Sequence, residues 1–158
     1  MSDSKAVKWI DEARQCIREA REREDLIKRE APSVWLDLKT AIDESIAAYA
    51  SDEDEAFPVR TNGDQRYVRT VTVSDQANPV QSRWRRTAVI AFNPSEKCIS
   101  AAYDVDGQTP KPPADRVLVV GVSSGHVRLF RGDVEIDSME AARYFLWPVL
   151  FPELPEPT

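Results

Sequence analysis

A chain of 158 residues with 42% hydrophobic and 30% charged side chains is long and apolar enough for one ordinary domain, which excludes a disordered or low-complexity protein. Two cysteines, Cys16 and Cys98, in segments of different type exclude a disulfide framework and a CxxC pair, and both are expected to be buried thiols. No run approaches the ~20 apolar residues of a bilayer span, and the first residues are amphipathic rather than leader-like, so a cytoplasmic location without membrane association is expected.

The net charge of -6 hides a change of sign along the chain. Residues 1–56 carry 9 Lys or Arg against 15 Asp or Glu, residues 57–132 carry 11 against 6, and residues 133–158 carry 1 against 6. Such polarity serves an internal fit, an acidic partner or a nucleic acid, and it speaks to association rather than to fold.

From Ser4 to Glu30, Ala6, Trp9, Ile10, Ala13, Cys16, Ile17, Ala20 and Ile27 recur at three- and four-residue spacing and share one face of a helix. Glu19 before Arg23 and Glu24 before Lys28 add side-chain pairs on its other faces. Pro32 is expected to break this helix and Ser33 to cap a second, in which Val34, Trp35, Leu38, Ala41, Ile42, Ile46 and Tyr49 form a fuller stripe. Residues 1–50 are therefore expected as a helical hairpin. Its first helix either folds back on the second or meets another chain through Trp9, Ile10, Ala13 and Ile17, which gives a homodimer. Residues 51–65, opened by Asp52, Glu53, Asp54 and Glu55, read as an exposed acidic linker and loop.

The period then becomes strand-like. Residues 67–73, 84–92, 97–105, 117–122 and 126–130 are short and rich in β-branched or aromatic residues, with turn chemistry at Asn93-Pro94-Ser95, Asp106-Gly107 and Ser124-Gly125. Gly132-Asp133 suits a tight hairpin that adds 134–136 as a sixth strand. Residues 66–136 are thus expected as an antiparallel meander of five or six strands. Asp137 and Glu140 cap a last helix over 137–150, with Met139, Ala142, Phe145 and Leu146 inward and Pro148 at its end. Residues 151–158 read as an extended, mobile acidic tail. The fold class is α+β in a single domain, with the helices on one sheet face.

No catalytic set stands out. His126 lies beside Ser123 and Ser124 in what reads as a hairpin, where a nucleophile and its base rarely align. Glycine-rich phosphate loops are absent, Asp104-Val105-Asp106-Gly107 lacks the remaining ligands of a calcium loop, and Asp11-Glu12 and Asp43-Glu44 point to different helix positions. Arg131-Gly132-Asp133 matches an adhesion tripeptide by letters and reads as hairpin chemistry. No cofactor, metal or catalytic residue is assigned.

Nine arginines against two lysines in the basic centre are the strongest signal, because arginine suits bidentate contact with carboxylate or phosphate. The expected function is a small protein-interaction or adaptor module whose arginine-bearing sheet receives an acidic protein segment, or the chain's own acidic helices. Arg69, Arg83, Trp84, Arg85, Arg86, Arg128 and Arg131 are the candidate contacts. The alternative is single-stranded nucleic acid held by the same arginines with Trp84 and Tyr67 as stacking platforms. An enzyme with a site near Ser100, Tyr103 or Asp104 is the third class.

Overall fold

A computed structural model describes residues 2–63, 65–107, 111 and 113–157. Helix α1 runs unbroken over Ser2–Ala50, 49 residues with Pro32 inside it, so the expected pair of N-terminal helices is one helix. The reason lies in the stripe. Ile27, Ala31, Trp35, Leu38, Ala41, Ile42 and Ile46 continue across the proline at three- and four-residue steps, and all are buried. Pro32 forfeits the hydrogen bond to the Lys28 carbonyl at a cost of about 3 kcal/mol. Each large side chain in the stripe returns about 1.5–3 kcal/mol on burial, so the packed face overrides the breaker. Trp35 adds a fixed point, its Nε1 donating to the Arg66 carbonyl at 3.0 Å.

Seven strands follow: β1 Val59–Asn62, β2 Val68–Ser74, β3 Trp84–Asn93, β4 Cys98–Gly107, β5 Arg116–Ser123, β6 His126–Arg131 and β7 Val134–Ile136. They form one antiparallel meander in sequence order. The count exceeds the expected five or six because β1, Val-Arg-Thr-Asn, is too short and polar to show a period and is held by its ladder to β2. β4 pairs with β3 from end to end but with β5 only over Cys98–Ala101, so the sheet divides there. Ser124 and Gly125, with φ of 53° and 78°, close the β5–β6 hairpin as a two-residue turn needs. Of the proline-bearing loop expected after Gly107, residues 108–110 and 112 lie outside the described residues.

Helix α2, Ser138–Leu150, begins at Asp137, whose carboxylate accepts from the Glu140 N–H at 2.8 Å. Pro148 does not end it; the helix runs two residues further. α1 packs over β5 and β6, and α2 over β2, β3 and β4. Alternate sheet residues such as Val71, Ile90, Ile99 and Leu118 join Leu38, Ile42 and Phe145 of the helices in one core. The other sheet face is uncovered.

α1 outruns this body. From Ser4 to Asp25 every residue is exposed except the half-buried Ile10, and the first half of the helix does not fold back. Lys97, in the β3–β4 turn, meets Glu24 at 2.9 Å where the arm leaves the body.

Candidate functional site

The arginines that looked like one surface in sequence separate into three groups. Arg69 faces the helices and its guanidinium pairs with Asp43 of α1, through Nε at 3.1 Å and through Nη2. Gly63 leaves it room, since a Cβ there would lie 1.9 Å from Arg69 Nη1. Arg86 is 5% exposed, donates from Nε to the Val149 carbonyl at 2.8 Å, and lies 4.4 Å from the Trp84 ring centroid. It closes the negative end of α2, and burial pulls its guanidinium below the ordinary pKa.

Arg116 does most for α2. Pro148 has no N–H to offer the Tyr144 carbonyl, and Arg116 Nη1 donates to that oxygen at 2.7 Å. The same guanidinium forms a bidentate pair with Glu156, both bonds 2.7 Å. Burial acts to lower its pKa, but the hydrogen bond and charge of Glu156 prevail and raise it. The bond from Arg116 holds the Glu156 carboxyl below its usual range. One residue of the acidic tail thereby answers one arginine of the basic centre.

The second group lies on the uncovered face. Arg85 reaches Asp106 at 3.4 Å and Arg128 reaches Glu135 at 3.6 Å, while Arg60 donates to the Ala77 carbonyl. Strand register places Arg60, Arg85 and Arg128 on the same face as Asp104, Asp106 and Glu135. Among the described strand residues three cations share this face with three anions, so it is not basic. The third group sits at the margins: Arg66 lies 4.9 Å from the Tyr67 ring centroid, Arg83 is exposed before β3, and Arg131 lies over the Tyr144 ring at 4.2 Å.

The aromatic platforms are turned inward. Trp84 meets Phe57 edge to face at 4.9 Å, and Tyr67 meets Phe92 likewise at 5.1 Å, both packed on the core. Ser100, Tyr103 and Asp104 do not converge. Tyr103 points under α2 and donates to the Phe145 carbonyl at 2.7 Å, with burial pushing its pKa up, whereas Asp104 is exposed on the opposite face. His126, opposite Ser123 across the β5–β6 hairpin, has its Nδ1 3.9 Å from Glu30 of α1. Cys98 is half-buried, which raises its pKa, and Cys16 is exposed on the arm rather than buried. Among the described residues no group of His, Cys, Asp or Glu is placed to hold a metal ion. No helix is long and apolar enough to cross a membrane.

What remains open is apolar. A groove of about 540 Å³ between α1 and α2 is lined by Tyr49, Met139, Leu146, Trp147, Leu150 and Phe151. The arm carries Val7 at 55%, Trp9 at 61% and Ile17 at 51% exposure. The four arm residues singled out from spacing, Trp9, Ile10, Ala13 and Ile17, do share one exposed helix face. Val7, three residues before Ile10, flanks that face. The chain matches no protein-family model, no curated protein and no solved structure.

Proposed function

We propose that this chain is a protein-interaction module in which the sheet, α2 and the second half of α1 anchor a helical arm, Ser4–Asp25, for a helical partner. The observation that supports it is the arm's apolar stripe, exposed at Trp9 and Ile17 on a helix whose other half buries the same face. Fusion to a packed helix spares the arm the nucleation cost that leaves short isolated helices marginal in water, so the stripe is presented already ordered. Helix-in-groove or helix-to-helix contact read at three- and four-residue steps is the mode such a surface serves.

The sheet is the weaker surface for an acidic segment or a nucleic acid. Arg69, Arg86 and Arg116 hold helices and tail, and the uncovered face balances its charges among the described strand residues. Salt-sensitive steering needs a surplus of one sign.

A photo-reactive residue at position 13 of the full chain, expressed in its own cell, tests the assignment. A covalent adduct with protein is expected at position 13, lost when Trp9 and Ile17 are replaced by Glu, and absent for the same probe at exposed Leu36. Adducts that ignore the two substitutions would remove the arm from the interaction.

A further inference from the structure

Resting on the assignment of Ser4–Asp25 as a docking arm, we propose that its partner is a second copy of this chain, the two arms packed antiparallel about a two-fold axis beside Ala13. The arm's charge favours a partner that is neither acidic nor basic. Residues 4–25 hold six Lys or Arg and six Asp or Glu, so two arms approach without net repulsion.

The stripe is its own complement. Ala6, Ala13 and Ala20 recur every seven residues on one face, the repeat that keeps a seam facing a partner helix. Antiparallel about Ala13, Ala6 of one copy lies opposite Ala20 of the other, Trp9 opposite Ile17, and Ile10 opposite Cys16. Small residues meet small residues along the seam, which lets the backbones come close, and the larger side chains close over both flanks.

Direction and length follow from where the body sits. Ile27, seven residues beyond Ala20, is buried in the core, so the arm's stripe and the body lie on the same side of α1. Parallel arms would put both bodies into the space between the two helices. Antiparallel arms put the bodies at opposite ends. The arm is about 30 Å long at 1.5 Å per residue, and the start of α1 at Ser2 then falls level with the partner's Glu24, where Lys97 marks the edge of the body. The overlap uses the whole arm and stops where the sheet begins. A two-fold contact of this kind closes on itself and does not propagate into filaments.

Sedimentation of the purified full chain across the micromolar range tests the partner's identity. The expected mass is twice the 17.9 kDa of one chain. Ala13→Arg, and separately Trp9→Glu, should weaken association at least about tenfold by burying a charge in the seam, with the urea midpoint of the dilute chain unchanged as the control for folding. Direction is read in a Cys16→Ser chain carrying Ala6→Cys and Ala20→Cys, where mild oxidation should link position 6 of one copy to position 20 of the other. A monomer at every concentration, a dimer indifferent to Ala13→Arg, or links joining 6 to 6 and 20 to 20 would each overturn the proposal. A monomeric chain that still yields the arm-dependent adduct in cells removes the second copy but keeps the arm, whereas loss of both removes the arm as well.

Discussion

The two halves of α1 obey the same period and end in opposite circumstances. From Ile27 to Ile46 the stripe is Ile, Ala, Trp, Leu, Ala, Ile and Ile, buried against β5, β6 and α2. From Ala6 to Ala20 it is Ala, Trp, Ile, Ala, Cys, Ile and Ala, and it lies in solvent. Periodicity tells which face of a helix will be covered; side-chain volume along that face tells how broad the covering surface must be. A sheet needs large, branched knobs to fill the space beneath a helix, whereas another helix can come close over alanine.

The sharpest way to break this comparison is to truncate one residue in each half. Leu38, 0% exposed, should cost about 2–5 kcal/mol as Leu38→Ala. Ile17→Ala at high dilution should stay within about 0.5 kcal/mol, as exposed positions do. Urea unfolding followed by tryptophan fluorescence reads both, and an Ile17→Ala cost comparable to Leu38→Ala would mean that the arm is packed within a single chain.

Next in size is the clamp on α2 and the tail. Arg116→Gln strands the Glu156 carboxylate and the Tyr144 carbonyl together; for a pair at 16% and 24% exposure the expected loss is about 2–3 kcal/mol. Glu156→Gln keeps a partner for Arg116 and should cost about 1 kcal/mol. The pair also sets a pH dependence. Because the folded Glu156 carboxyl lies below its ordinary value of 4.5, its contribution is complete above that pH and is lost as pH falls through the lower folded value. Wild-type stability should therefore drop more steeply below about pH 4.5 than that of Glu156→Gln, and superimposable acid limbs would show that the pair contributes nothing.

This clamp also marks what was legible in the sequence and what was not. The strand over 84–92, the Ser124-Gly125 turn and the Asp137 cap could be read from alternation and local chemistry, because each is decided within a few residues. The arginines could be counted but not placed. Whether Arg86 meets a partner protein or the end of α2 depends on a contact 63 residues away, and the Tyr144 carbonyl lacks its helical donor for Arg116 to replace only because Pro148 stays inside the helix. Both prolines look like stops in sequence for the same reason: their local cost is visible there, while the burial that offsets it comes from the sheet. β1 escaped because four residues of ladder leave no pattern. At the arm, the stripe and its candidate residues were readable; that no part of the body covers it was not.

Pro32 offers a smaller test of the continuity between the halves. Pro32→Ala restores one helical hydrogen bond and should stabilise the chain by about 1–2 kcal/mol, less than the full penalty of an interior proline because Pro also narrows the unfolded ensemble. A fall in the urea midpoint would mean that the ring packs in a way alanine cannot replace.

The smallest effect belongs to the joint itself. Glu24 and Lys97 meet at 2.9 Å, with side chains 54% and 37% exposed, and the hydrogen bond from Lys97 draws the Glu24 carboxyl below its usual range. A pair this open is screened by water and salt, so Glu24→Gln should leave the unfolding midpoint of the body where it was. Its effect should fall on the arm, which has few other ties to the body and frays on its own account. Amide exchange across Ser4–Arg23 should quicken in Glu24→Gln and in wild type at high salt, while Ile27–Ile46 exchanges as before. Protection that rises with protein concentration in both chains alike is what a second copy adds, so the comparison is made at high dilution, where equal exchange of the arm in the two chains would show that Lys97 does not hold it.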